Sequence, residues 1–363
     1  MRKVLFVILS LFTGLAGNFY AQENVEFDKR NFKHDKEGFK EAYRSLKDGN
    51  DYYDQEQYYL ALDEYQKAND FNPDNALLNY RIGFCYLKSA RKIKSFEYFQ
   101  KAYELDKNVS PEIHYMLGRG YQLKLEFDKA VEKYQHYKST LSPEYLKEFG
   151  EEVDKRIEEC KNGKKLIKKP VRVFIDNVGG TINSAYSDYS PLISADESMM
   201  IFTSRREMTT GQEKDPFDLQ YYEDIYISYN ENGSWSEPEN IGETINTPSH
   251  DATVGLSSDG QKLLIFNGNE NGGDLYICYL EGEQWTEPEP LPKTINSPYH
   301  ESAASFSFDG NIIYFVSERE ENNYGQSDIY LSRRNEKGNW GEAENLGSVV
   351  NTKYDEVGVF MHP

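Results

Sequence analysis

Cysteine is scarce: Cys85, Cys160 and Cys278 are the three among 363 residues. An odd, widely spaced set gives neither a disulfide framework nor metal-ligand spacing. Cys85 sits in an apolar helical pattern and reads as core. Long apolar runs are also lacking. One follows Arg2 and Lys3 and extends from Val4 to Leu15, short of the roughly 20 residues a membrane-spanning helix needs. Small residues and then Ala21-Gln22-Glu23 come after it. Residues 1–21 therefore read as a cleaved secretory signal peptide, and the mature chain is expected to be exported to a bacterial periplasm without spanning a membrane. Leu15-Ala16-Gly17 begins like a lipobox, but Asn18 stands where the lipidated cysteine would be, so lipidation there is excluded. Basic residues are lacking in the second half. Residues 166–363 hold 13 basic and 33 acidic side chains, whereas 1–165 hold 28 of each, so the whole net charge of −20 lies after residue 165. Without a clustered cationic face, nucleic acid is excluded as a partner. The charge break marks two domains with a boundary near 165. Wholesale disorder is excluded too, because 29 Tyr and 20 Phe supply apolar content for cores.

The first half repeats. Gly49, Tyr52, Tyr65 and Ala68 recur as Gly83, Tyr86, Phe99 and Ala102, each 34 residues on. A third copy, one residue late, carries Gly118, Tyr121, Ala130 and Tyr134; Ala61, Ser95 and Ala130 are equivalent small residues, and Pro73 closes the first copy. This pattern resembles the tetratricopeptide (TPR) repeat, a pair of antiparallel helices. The resemblance covers roughly 42–144. It departs at the first Trp of the family pattern, where Ser45, Asn79 and His114 stand. The glycines should let the first helix of each pair approach the second. Ser142-Pro143 is a helix start, and Tyr145, Phe149, Val153 and Ile157 at spacing four predict a capping helix. The solenoid with its cap is placed at 37–160, and a basic linker at 161–170.

The second half repeats with a different period. Trp235, Trp285 and Trp340 are each followed eleven residues later by Asn246, Asn296 and Asn351, and Asn183 is an earlier member of that series. Five residues after each Asn stands an acid: Asp188, Asp251, Glu301 and Glu356. Asp196, Asp259 and Asp309 follow, then an apolar strand, then Asp224-Ile225-Tyr226, Asp274-Leu275-Tyr276 and Asp328-Ile329-Tyr330. Asp259-Gly260 and Asp309-Gly310 predict tight hairpins; Asp196-Glu197 lacks the glycine and should turn differently. Four short strands per unit are the pattern of a β-propeller blade. Phrases such as Ser307-Phe308-Asp309-Gly310 and Asp328-Ile329-Tyr330 look like the WD40-like propellers of the TolB type. The fold class is therefore α + β multidomain: a TPR solenoid followed by TolB-like blades over 171–363. The ring is expected to be incomplete. Three units carry Trp, a fourth begins at Asn351 with a strand at 357–361, and 171–178 adds one outer strand. A truncated chain, or completion by another chain, is expected over a closed four-blade ring.

Catalytic constellations are not found. The paired carboxylates recur in every unit, which is the mark of a scaffold. The acids at 188, 251, 301 and 356 are expected to bond turn amides, and Asp224, Asp274 and Asp328 are read likewise. His250-Asp251 and His300-Glu301 resemble base-and-orienter pairs but are also repeat-equivalent. No nucleophile elbow, paired metal histidines or phosphate-cradling loop accompanies them. The loop 267–274 is oxygen-rich but lacks EF-hand spacing. No catalytic residue, metal or cofactor is assigned. The TPR resemblance implies a concave groove lined by the first helices, here Asn50, Tyr53, Asp54, Tyr80, Phe84, Lys88, Tyr115, Arg119 and Gln122. Aromatic rings with a few charges suit a peptide or partner helix; the family's basic carboxylate clamp is present only in part. The combination resembles periplasmic proteins of Bacteroidota in which TPR repeats precede TolB-like blades, some of them in type IX secretion and gliding machinery. It implies a non-enzymatic scaffold that binds envelope proteins or peptides through groove and propeller. Contact with peptidoglycan is expected only through an additional OmpA-like domain. The alternatives are a Tol-Pal-like envelope-integrity factor and a propeller module associated with a hydrolase.

Overall fold

The structure is a computed structural model that describes residues 23–215, 218–267 and 273–362. The expected signal peptide lies outside the described residues. The chain divides between Val173 and Phe174 into two compact units.

The first unit is a run of helices: α1 (Lys36–Asp54), α2 (Tyr58–Phe71), α3 (Ala76–Lys88), α4 (Ser95–Leu105), α5 (Ile113–Leu123), α6 (Phe127–Thr140) and α7 (Pro143–Leu166). Local chemistry starts several of them. The Asn75 side chain accepts from the Leu78 amide at 2.8 Å, and Ser142 Oγ accepts from Tyr145 with Pro143 in the first turn, each satisfying an orphan helix-start amide. The helices pair as α1 with α2, α3 with α4 and α5 with α6. A Cβ on Gly49, Gly83 or Gly118 would stand 2.6–2.7 Å from the ring of Tyr65, Phe99 or Tyr134. Those three rings have no exposed surface. Each glycine is therefore the clearance for an aromatic from the second helix of its own pair.

Helix α7 corrects the expected linker, because it continues through Gly163 to Leu166. The glycine is not a breaker here: a Cβ on it would lie 2.6 Å from the Phe127 ring. Lys164 and Lys165 occupy the last turn, where cations offset the negative helix end, and Lys164 Nζ meets Asp128 at 2.7 Å. The basic stretch expected as a linker is helix as far as Leu166, packed on α6.

The second unit is three antiparallel sheets in chain order. The first holds β1 (Asp188–Ile193), β2 (Met199–Ser204) and β3 (Asp224–Glu231), with the short outer strands β4 (Ser234–Trp235) and β5 (Glu239–Asn240) both on β3. The second repeats this with β6 (Asp251–Leu256), β7 (Lys262–Asn267), β8 (Asp274–Glu281), β9 (Gln284–Trp285) and β10 (Glu289–Pro290). The third has β11 (Glu301–Phe306), β12 (Ile312–Ser317), β13 (Asp328–Arg333) and β14 (Glu344–Asn345), with an isolated bridge between Arg334 and Trp340. Pro238 and Pro288 lie in the gaps that split the first two outer strands; proline cannot donate to a ladder.

The sheets stack face to face as blades. Met199, Ile201, Ile225 and Ile227 of the first pack with Leu263, Ile265 and Cys278 of the second. Leu264, Leu275 and Ile277 of the second pack with Ile313, Phe315 and Tyr330 of the third. Trp285 is half-buried against the former core and Trp340 against the latter. Trp235 packs on the cluster of Ile182, Met200, Phe202 and Tyr226.

Two expected strands are not formed: 171–178 and 357–361 carry no regular ladder. Both runs are strand-like in sequence, but a strand needs a neighbour. Of 357–361, Met361 N donates to Ser305 Oγ at 3.0 Å, which holds the run beside β11.

The first hairpin turns like the others, against expectation. In each, the residue before the turn accepts from the amide three residues on: Glu197 to Ser194 at 2.8 Å, Gly260 to Ser257 at 2.9 Å and Gly310 to Ser307 at 2.8 Å. Asp196, Asp259 and Asp309 each accept from the serine hydroxyl two residues earlier. The position after each Asp is left-handed, with φ +58° at Glu197, +69° at Gly260 and +68° at Gly310. The serine–aspartate pair fixes the turn, and glutamate is forced into a conformation that glycine adopts freely. Glu197→Gly is expected to stabilise the second unit by about 0.5–1 kcal/mol, and Gly260→Ala to destabilise it by a similar amount. Urea unfolding followed by tryptophan fluorescence reads this directly, because all three tryptophans lie in that unit; an unchanged or lowered midpoint for Glu197→Gly would contradict it.

Candidate functional site

The first helices α1, α3, α5 and α7 are joined by side chains. Asn50 of α1 accepts from Tyr65 OH at 3.0 Å and is also bonded by Arg81 of α3. The Arg81 guanidinium lies 5.4 Å from the Tyr53 ring centre, and Tyr53 meets Phe84 at 5.6 Å. Further along, Tyr115 OH donates to Glu152 of α7 at 2.6 Å. Gln122 donates to Glu159 at 2.9 Å and accepts from Tyr134 OH at 2.6 Å. Arg156 bonds Glu159 at 3.0 Å and reaches Glu152 at 3.5 Å.

The nine residues expected to line the groove therefore divide. Tyr80 is only 8% exposed and packs on Phe99; it is a core residue, because its ring points between helix pairs. Asn50 and Gln122 are held by bonds between helices. Tyr53, Phe84 and Tyr115 are half-buried, with one face in the core. Asp54 and Lys88 are exposed, and the Lys88 ammonium rests over Tyr58 and Phe84 at 5.9 and 5.6 Å. Arg119 is half-buried and has no carboxylate within ion-pair distance among the described residues. Arg81, Glu152, Arg156 and Glu159 belong to the same row and were missed. The spacing of Glu152, Arg156 and Glu159 along one face of α7 was the available signal.

The acids of the second unit close its turns. Asp188 accepts from Ser184 N at 2.6 Å and from Ser204 Oγ at 2.6 Å. Asp251 accepts from Thr247 N at 2.5 Å, Glu301 from Ser297 N at 2.9 Å and Glu356 from Thr352 N at 3.2 Å. In each case the donor follows the repeat asparagine. Arg206 supports Asp188 at 2.8 Å, and Arg319 supports Glu301 at 3.5 Å; each guanidinium lies about 5 Å from two buried rings, Phe202 and Tyr226 or Phe315 and Tyr330. The corresponding position for Asp251 is Asn269 in the sequence, and no arginine bonds that acid among the described residues. His250 does not pair with Asp251 as its neighbour suggested: its Nδ1 bonds Glu223, which also accepts from Tyr189 OH at 2.8 Å. His300 stacks edge-on against Phe266.

Comparison with known proteins bears on part of the helical half. Residues 49–89 match the model of the TPR repeat family. Comparison with curated proteins returns no match. Among solved structures, the chain is similar to the MamA protein at 24% identity and a TM-score of 0.29, over 35% of this chain and 66% of that one. It is similar to the Yersinia enterocolitica type III secretion chaperone SycD in complex with a peptide of the translocator YopD, at 15% identity and 0.29, over 34% and 93%. It is also similar to TolB from Acinetobacter baumannii at 18% and 0.30, over 45% and 33%. The propeller character of the second unit rests on its own three sheets: a helical TPR region is followed by propeller-like blades.

The missing arginine has a measurable consequence. Burial pushes Asp251 up to about 6. Burial raises Asp188 too, but bonds from Ser204, Arg206 and Ser184 outweigh it and leave that acid below its usual value. The folded TPR–blade protein therefore takes up a proton at Asp251 more readily than the unfolded chain does. That contribution favours folding at low pH and is lost as pH rises from about 4 through 6. Asp251→Asn should remove it: relative to the parent, the variant should gain on the order of 2–3 kcal/mol between pH 4 and pH 7.5. Urea titrations at both pH values check this; a pH-independent difference would contradict it.

Proposed function

We propose that the chain is a non-enzymatic scaffold of the bacterial envelope whose TPR groove holds a peptide segment of a partner protein. The carrying observation is the state of the cations in the groove. Arg81 and Arg156 are engaged by Asn50 and by Glu152 and Glu159. Lys88 is exposed over an aromatic pair, and Arg119 has no ion-pair partner among the described residues. Two uncompensated cations beside the half-buried rings Tyr53, Phe84 and Tyr115 offer both charge and apolar surface to an extended segment or a helix.

The non-enzymatic reading is supported by the use of the carboxylates. Asp188, Asp251, Glu301 and Glu356 serve as repeated turn acceptors, and Asp224 accepts from Thr210 N at 2.7 Å and Asn240 at 2.6 Å. Export, a periplasmic site near the outer membrane and a role in type IX secretion or gliding belong to the same proposal. Their support is the leader-like N-terminus and the order of TPR region and blades. Among the described residues, no helix is long and apolar enough to cross a membrane.

Lys88→Glu with Arg119→Glu tests the groove in the full chain. Captured envelope polypeptide is expected to fall at least tenfold, a loss of about 1.4 kcal/mol or more, with the melting temperature unchanged. Equal capture by the variant and the parent would contradict the proposal.

A further inference from the structure

The repeats account for most of the polar side chains of the second unit. One asparagine closes each blade: Asn246 accepts from the Ile225 amide at 2.9 Å and donates to the Ile225 carbonyl at 3.0 Å. Asn296 does the same to Leu275 at 3.1 and 2.9 Å, and Asn351 to Ile329 at 2.9 and 2.9 Å. What does not repeat is the connection from β2 to β3. It runs over 205–223, whereas the corresponding connections are 268–273 and 318–327.

The described parts of this insertion, 205–215 and 218–223, are tied down at three places. Arg205, 8% exposed, bonds Asp218 at 2.7 and 3.1 Å and the Tyr221 carbonyl at 2.5 Å. Thr210 donates from N and Oγ1 to Asp224 at 2.7 and 3.0 Å. Glu223 bonds His250 at the entry to the second blade, Tyr222 meets that imidazole edge-on at 4.6 Å, and a Cβ on Gly211 would stand 2.8 Å from Pro248. The insertion is thus a fixed platform across the junction of the first two blades.

The platform holds apolar side chains outward at a conformational cost. Met208 has φ +72° and is 76% exposed; Leu219 has φ +57° and is 46% exposed. Left-handed backbone favours glycine, and a larger side chain there is strained. Neither residue joins a buried cluster among the described residues, so the free chain recovers nothing from these two side chains. Beside them lie Tyr186 and Tyr221, with rings 5.9 Å apart, and Glu207, which accepts from Tyr186 OH at 2.5 Å. Methionine and tyrosine are enriched where proteins meet.

Charge selects the partner. Residues 205–223 with Asp188 carry six carboxylates and three cations. Arg205 and Arg206 are committed inward to Asp218 and Asp188, and the Lys214 ammonium rests over Tyr221 at 4.7 Å. Glu207 and Glu213 are exposed and have no ion-pair partner among the described residues. We propose that the insertion is a docking surface for a basic segment of a partner protein, which covers Met208 and Leu219 with apolar side chains and sets lysine or arginine against Glu207 and Glu213. It is distinct from the helical groove, where the exposed Lys88 and the half-buried Arg119 call for the opposite charge.

A short fluorescein-labelled peptide alternating lysine with leucine, added to the full chain, tests this by anisotropy and hydrogen exchange. Saturable binding is expected, with exchange slowed over 205–223 and affinity falling as salt rises. Met208→Gly with Leu219→Gly should weaken binding at least tenfold while the melting temperature, followed by tryptophan fluorescence, rises by about 2–4 °C, because glycine relieves the left-handed strain. These opposite movements separate docking from a structural role. Glu207→Lys with Glu213→Lys should also weaken binding at least tenfold. Equal binding by the parent and the glycine variant would overturn the inference, as would preference for a peptide alternating glutamate with leucine. So would concentration-dependent dimers that the glycine variant abolishes, since the occupant would then be a second copy of this chain.

Discussion

The second unit depends on one repeated interaction: a buried asparagine amide that takes both the N–H and the C=O of a single strand residue. At Ile225, Leu275 and Ile329 the outer strand reaches only the carbonyl, through the Ile241, Leu291 and Leu346 amides, and the buried N–H left unpaired without the asparagine would cost about 1–3 kcal/mol. Asparagine carries one acceptor and one donor group on a planar amide, so it substitutes for a missing strand residue. The corner that holds it leads directly into the next blade through the Ser or Thr and the acid that follow. Closing one blade and starting the next are thus one structural event. This is why the asparagine, the hydroxyl residue and the acid recur together although they lie in loops.

The helical unit rests on a steric counterpart. Gly49, Gly83 and Gly118 each admit one buried ring, so the pairing of helices within a repeat is decided by the absence of a Cβ. Between repeats, apolar clusters are joined by polar side chains, running from Asn50 to Arg81 and from Tyr115 and Gln122 to α7. Rigid pairs joined by a side-chain row leave the groove face partly committed to holding the solenoid together. What remains for a ligand is Lys88, Arg119 and one face of the aromatic row.

Much of this was legible because both architectures repeat. The 34-residue recurrence of Gly and aromatic positions, and the spacing from Trp to Asn, report contacts made inside each copy. What was not legible depended on contacts outside the copy. Residues 161–166 read as linker because the packing of Gly163 on Phe127 involves another helix. Residues 171–178 read as a strand because sequence records β-propensity but not the presence of a partner strand. Tyr80 read as groove because its position in the helix does not say whether its ring enters the core. Glu197 read as a different turn because the local pull of Ser194 and Asp196 on the backbone outweighs the side chain's preference. His250 was matched to its sequence neighbour, whereas the fold brings it to Glu223.

The most direct test of the asparagine account is hydrogen exchange on the full chain with Asn296→Ala. The account predicts that protection of the Leu275 amide falls by roughly a hundredfold, as loss of about 3 kcal/mol of local stability requires. The second and third blades should loosen together while α1 to α7 keep their protection. Unchanged protection at Leu275 would contradict it.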